Sequence, residues 1–242
     1  MMWWLMICIV FAFGVEAMTG FGSIVLALSL GALVYSIPEL VTLLVPLNLV
    51  MTLPLCIRLR QHIQWRLLLT RLLPLMAVGT LLGQALLPWV NPDWLKLVFA
   101  MLITWFALRA LLKSQALALP TGIANGLITL AGVTHGLFAS GGPLLVYALA
   151  RSQLPKAQFR ATLLFVWLCL NSVLSLWFLF SGRFEGQWPA LLQLVPAVLL
   201  GMWLGNRLHH KIDAQRFLPS VFAILLLVSV ILLVTSLQQV AG

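Results

Sequence analysis

Long apolar runs alternate with short polar connections along this chain, at 2–36, 40–57, 67–90, 94–112, 117–150, 161–181, 188–206 and 217–237. A helix needs about 20 residues to cross the hydrocarbon of a bilayer, and six of the eight runs suit one crossing. Runs 2–36 and 117–150 are too long for one helix and short for two. Each carries a glycine-bearing interruption, Thr19-Gly20-Phe21-Gly22-Ser23 in the first and Ser140-Gly141-Gly142-Pro143 in the second. Glycine frees the backbone and proline removes a donor. Each of these two runs is therefore expected to be a broken, re-entrant helix pair.

Composition agrees with that pattern. Of 242 residues, 62% are hydrophobic and 8% charged, and the mean hydropathy is +1.10. A soluble domain carries about 25% charged residues, so hydrocarbon is the main solvent here. The net charge of +9 would suggest nucleic acid in a soluble protein. Here the cations sit between apolar runs, and no nucleic-acid partner is expected. Cys8, Cys56 and Cys169 are scattered and suggest neither a disulfide scaffold nor a metal site.

The basic residues set the orientation. They fall in four clusters: Arg58, Arg60, Arg66 and Arg71; Arg109 and Lys113; Arg151, Lys156 and Arg160; Arg207, Lys211 and Arg216. These are 12 of the 14 Lys and Arg residues, and the positive-inside rule puts all four in the cytoplasm. Connections 35–39, 88–94 and 181–188 hold only Arg183 and go outside. Run 117–150, with cytoplasmic clusters on both sides, must then enter and return at one face. Run 2–36 does the same from the other face if the N-terminus is outside. No cation precedes Arg58, and apolar sequence starts at once with Met1-Met2-Trp3-Trp4. This start reads as a membrane segment with interfacial tryptophans, not a cleavable signal.

The two halves resemble each other. Pro74, Gly79, Gly83 and Gln84 match Pro196, Gly201, Gly205 and Asn206 at an offset of 122. Trp65 matches Trp188 at 123, and Gly22 with Thr42 matches Gly142 with Thr162 at 120, the offset that also aligns Asp93 with Asp213. Corresponding loops carry opposite charge bias, which places them on opposite faces. The expected fold class is an all-α polytopic membrane protein forming one integral membrane domain. It contains two inverted-topology repeats, 1–113 and 114–242, each a broken helix pair plus three crossings. Inverted repeats with interrupted helices in matching places are the build of secondary transporters, with substrate at the repeat interface.

A break frees backbone N–H groups at the start of a new half-helix, and lipid cannot satisfy them. Helix N-termini suit anions, so Thr19, Gly20, Gly22 and Ser23 with Ser140, Gly141 and Gly142 are candidate substrate-binding residues. The competing reading is that these glycines only permit close packing; for Gly79/Gly83 and Gly201/Gly205 packing is the preferred reading. Asn48 and Asn171 lie inside apolar runs at an offset of 123 and would donate to substrate or bond across helices. Glu16 and His135 are ionisable groups deep in apolar sequence and are candidates for proton coupling. The alternatives are an interfacial Glu16 and a neutral, carbonyl-bonded His135.

No H-E-x-x-H, paired-carboxylate or nucleotide-binding motif occurs, so no enzyme activity, cofactor or metal is expected. An intramembrane serine protease would place glycine two residues before its serine, where Phe138 precedes Ser140.

Gly20-Phe-Gly-Ser-Ile-Val-Leu-Ala-Leu in the first half resembles the TauE/SafE family of sulfite exporters. So do Gly136-Leu-Phe-Ala-Ser-Gly-Gly-Pro-Leu-Leu-Val-Tyr147 and Phe159-Arg-Ala-Thr162 in the second half, and Gln64-Trp65-Arg66. The resemblance implies a bacterial inner-membrane permease that moves sulfite or organosulfonates, outward. In the first half Thr19 and Phe21 flank Gly20 where the family has more glycine, so Phe21 is expected to shape or gate the pocket. The leading expectation is an alternating-access transporter of a small anion, multi-pass in the lipid bilayer and compatible with a homodimer. An anion channel and a membrane scaffold without transport are the other two classes.

Overall fold

The computed structural model describes residues 2–112, 120–149, 154–208 and 214–241. Lys113, Arg151, His209, His210, Lys211 and Asp213 lie outside them. All regular structure among the described residues is helical. The first broken run forms α1 (Met2–Thr19) and α2 (Ser23–Gly31). Next come α3 (Ile37–Leu59), α4 (Trp65–Trp89) and α5 (Pro92–Leu111). The second broken run forms α6 (Thr121–Phe138) and α7 (Gly142–Leu149). They are followed by α8 (Lys156–Phe180), α9 (Trp188–Leu208) and α10 (Ala214–Ala241). Seven helices among the described residues are long and apolar enough to cross a membrane: α1, α3, α4, α5, α8, α9 and α10.

Local chemistry sets the boundaries. Ser36 caps α3, its Oγ accepting from the Glu39 N–H at 3.4 Å, and Asn91 caps α5 through the Asp93 N–H at 2.9 Å. Pro38 and Pro92 occupy first turns, where a missing N–H costs nothing. Pro74 has no N–H for the Thr70 carbonyl, and α4 accommodates this with a π-helical turn over Leu68–Leu72. The outer surface stays apolar: Trp89 is 88% exposed and Phe180 84%, as lipid contact demands.

Helix packing follows one pattern in both halves. α1 packs along α9 and α4 along α6, each lead helix lying on the fourth helix of the other half; α3 packs on α8 and α5 on α10. Small residues make the close approaches. Gly79 lies against the Thr129 carbonyl and Gly132, and Gly83 against the Val133 carbonyl and Gly136. Gly201 lies against the Val10 carbonyl and Gly14, and Gly205 against the Gly14 carbonyl and Ala17. Gly14 and Gly136 stand 122 apart, the offset of the other pairs.

On α3 and α8, partners run in opposite senses. Asn48 meets Asn171, and further along, Gln64 just past α3 meets Thr162. The two helices are therefore antiparallel. The same Gln64 contact, with Arg71 Nε donating to Asn125 Oδ1 at 2.7 Å, gathers the basic 58–71 stretch and the starts of α6 and α8 at one end. α2 doubles back along α1: Trp4 Nε1 donates to the Leu30 carbonyl at 3.3 Å, so the end of α2 reaches the start of α1.

Candidate functional site

Both breaks are built from backbone that a continuous helix does not permit. Gly20 and Gly22 take φ of +90° and +108°, and Ala139 closes α6 at φ +51°. That region favours glycine, and an alanine there carries a strain of about 1 kcal/mol. The last helical bonds, Gly20 N–H to the Glu16 carbonyl and Ala139 N–H to the His135 carbonyl, are both 2.7 Å.

The breaks meet at α3 and α8. Glu16 Oε2 accepts from the Ser23 N–H at 2.7 Å, and Oε1 accepts from Asn48 Nδ2 at 3.0 Å. Asn48 Nδ2 also donates to Ser23 Oγ at 3.0 Å, and Asn171 Nδ2 donates to Asn48 Oδ1 at 2.8 Å. One network thus ties the first break to the third helix of each half. Its side chains are almost completely buried, as polar groups within a membrane domain must be.

A cavity of about 20 Å³ lies beside this network, room for about one water. Glu16, Gly22, Asn48, Ala139, Ser140, Gly141, Gly142, Trp167 and Asn171 face it with a few apolar neighbours. Among the described residues, Ser140 Oγ and Asn171 Oδ1 have no hydrogen-bond partner. Trp167 stacks on His135 with ring centroids 5.7 Å apart and planes at 22°, and its Nε1 donates to the Gly20 carbonyl at 3.1 Å. Both ring nitrogens of the fully buried His135 are also without partners among the described residues.

A buried polar network of Glu16, Ser23, Asn48 and Asn171 thus lies where the two helix breaks meet. The profile of the sulfite exporter TauE/SafE family matches residues 5–233. The chain belongs to the TauE/SafE family. It is also similar to the probable inner membrane transporter protein TsaS of Comamonas testosteroni, 30% identical over 173 residues, which are 70% of this chain and 72% of that protein. No solved structure matches.

Of the residues expected at the site of this TauE/SafE chain, Glu16, Gly22, Asn48, Ser140, Gly141, Gly142 and Asn171 face the cavity. Ser23 joins it through its bonds to Glu16 and Asn48. Thr19 does not face it. Its Oγ1 lies 2.9 Å from the Val15 carbonyl and 2.8 Å from the Phe21 carbonyl, where it completes the local turn. Gly20 is pressed against the backbone of Arg160. His135 does not face the cavity; its ring stacks on Trp167, which does. Phe21 packs on Gly142, where it bridges the two breaks.

Three features escaped the sequence reading. Trp167 is a wall of the cavity; its position four residues before Asn171, on the same helical face, was the available signal. Ala139 takes the conformation expected of a glycine. Arg160, counted with the cytoplasmic basic cluster as an orientation signal, is only 6% exposed.

Proposed function

We propose that this chain is a secondary transporter of the bacterial inner membrane that exports a small anion, sulfite or an organosulfonate, by alternating access. The observation that carries the reading is the meeting of both helix breaks at one small cavity, faced by polar groups that have no hydrogen-bond partner among the described residues. The family membership supports the substrate class, and the relative's name supports the inner-membrane location.

The halves divide the work. At the start of α2 the carboxyl of Glu16 already takes the Ser23 N–H, so this half-helix N-terminus is occupied from within the chain. At the offset of 122 the second half has the apolar Phe138 in place of Glu16, which leaves the start of α7 free to receive an anion. Gly141 and Gly142 present backbone there, with the Ser140 hydroxyl, the Asn171 amide and the imidazole of His135 nearby. A negative solute and an ionised Glu16 in the same cavity repel. Anion and proton are therefore carried together, with Glu16 holding the proton.

Inversion of the two halves supplies the alternation. The antiparallel α3–α8 pair and the reciprocal α1–α9 and α4–α6 packing support repeats related by a two-fold axis in the membrane plane. Rocking about the Asn48–Asn171 crossing opens the cavity to either side in turn. A cavity with room for one water cannot hold the four heavy atoms of sulfite until it opens, which favours a conformational cycle over a standing channel.

Flux of sulfite and of sulfoacetate in proteoliposomes tests the reading. Ser140→Trp fills the cavity and should abolish flux; wild-type flux in that variant removes the proposed site. Uphill counterflow of labelled substrate is expected, and its absence with downhill flux intact would point to a channel. A purified protein that binds no anion and co-purifies with another complex would be a scaffold.

A further inference from the structure

One buried cation stands apart from the central cavity. Arg160, in the first turns of α8, has its Nε and Nη2 enclosed with no hydrogen-bond acceptor among the described residues. An unpaired charge withdrawn from water is costly and calls for an anion. What gathers at this end is positive: Arg58 stands in the last turn of α3. The bond from the Gln64 N–H to Thr162 Oγ1 draws the 60–64 loop onto the same end of α8. That loop carries His62, whose buried Nδ1 also lacks a partner among the described residues. Unpaired nitrogens from two segments therefore lie toward this end of the bundle.

The position of Arg160 relates this cluster to the cavity. Arg160, Trp167 and Asn171 stand at i, i+7 and i+11, on one face of α8. A rise of 1.5 Å per residue puts Arg160 about 10 Å from Trp167, which faces the central cavity. Gly20 lies between them. Its carbonyl takes the Trp167 N–H, and a Cβ on it would stand 2.8 Å from Arg160 Cα. In this conformation the first break is clamped onto α8 between the guanidinium and the cavity.

We propose that Arg160 binds an oxyanion at the cytoplasmic mouth, its Nε–Nη2 edge taking two oxygens of a sulfite or sulfonate group before the substrate passes Gly20 to the central cavity. The proposal rests on the transport reading above. A guanidinium fork matches two oxygens of such a group, whereas an ammonium offers only a point charge.

The test is sulfite and sulfoacetate binding by the purified protein in phosphatidylcholine nanodiscs, together with flux in proteoliposomes. Arg160→Gln is expected to raise the half-saturating anion concentration at least tenfold, and Arg160→Lys by less. Sulfite at a fixed concentration should raise the unfolding temperature of the wild type more than that of Arg160→Gln. If Arg160→Gln fails to fold, Arg160→Lys carries the test, and wild-type affinity in it overturns the proposal. Wild-type affinity in Arg160→Gln, with flux intact, removes the Arg160 station and leaves central-cavity transport standing. A wild-type protein that neither binds nor moves either anion removes the transport reading and this station with it. If substitution changes only the stabilisation by phosphatidylglycerol, the guanidinium holds a lipid phosphate and the proposal fails.

Discussion

Asn171 donates to Asn48 across the crossing of α3 and α8, a 2.8 Å bond between residues 123 apart in sequence. The two amides are not equal partners. Asn48 also holds Glu16 Oε1 and Ser23 Oγ, so its removal strands three buried polar groups at once.

Asn48→Ala should therefore destabilise the protein by about 2–3 kcal/mol, in the range expected for stranding buried polar groups. Asn171→Ala should cost about 1 kcal/mol, typical of one interhelical bond in a membrane protein. The double variant should lose less than the sum, because both singles break the same bond. Unfolding in mixed detergent micelles measures all three. Equal losses from the two single variants would contradict the hub role of Asn48.

Glycine contacts give a sharper contrast. A Cβ on Gly79 would run into the Thr129 carbonyl, and one on Gly205 into the Gly14 carbonyl. Both neighbours are backbone and cannot yield without moving a helix. Gly79→Ala and Gly205→Ala should each cost about 1–3 kcal/mol through overpacking. Gly126 faces open space, and Gly126→Ala should be neutral or gain up to about 1 kcal/mol in helix propensity. Thermal unfolding followed by size exclusion separates the three.

The parts legible in the sequence were those that lipid enforces. Hydrocarbon demands long apolar runs, so eight segments were visible, and the glycines in two of them marked the breaks. Asn48 and Asn171 stood out as polar residues in apolar sequence at the repeat offset. Arg160 did not, because a cation beside a loop counts the same toward orientation whether it faces water or is buried under the first break. Trp167 looked like any aromatic in a membrane helix until the Gly20 carbonyl was found on its indole. The cap that Glu16 makes on Ser23 spans seven residues and exists only because α2 turns back. Ala139 carries no glycine to announce its left-handed backbone.

Gly20 and Gly22 separate backbone strain from space. Both have positive φ, but a Cβ on Gly20 would also collide with Arg160, while one on Gly22 would meet only Leu26 at 3.9 Å. Gly22→Ala should cost about 1–2 kcal/mol from its backbone alone and retain flux. Gly20→Ala should cost more and lose flux, because the break can no longer seat on α8. Flux normalised to folded protein in proteoliposomes is the readout, and equal behaviour of the two variants would show that the seating of Gly20 on α8 does not govern transport.

Glu16→Gln keeps the shape of the side chain and removes its proton exchange. The amide oxygen can still accept from one of the two donors that Glu16 holds, Ser23 N–H and Asn48 Nδ2. Binding and anion–anion exchange should survive, whereas acceleration of net flux by an imposed pH gradient should disappear. A variant that still responds to the gradient like wild type would show that the proton travels elsewhere, with His135 the next group to replace.

Orientation is tested by single cysteines in a background lacking Cys8, Cys56 and Cys169. Arg66, Asp93, Arg183 and Arg207 are all exposed and lie at or near helix ends. Trp65 and Trp188 occupy equivalent places in the two halves, so inversion requires Arg66, beside the first, and Arg183, just before the second, to face opposite sides. The positive-inside rule predicts Arg66 and Arg207 together on the cytoplasmic side, and Asp93 with Arg183 on the other. An impermeant maleimide applied to intact cells should then label Asp93→Cys and Arg183→Cys, and reach Arg66→Cys and Arg207→Cys only after permeabilisation. Labelling of Arg66→Cys and Arg207→Cys from different sides would break the inverted relation, and with it the rocking of one half against the other.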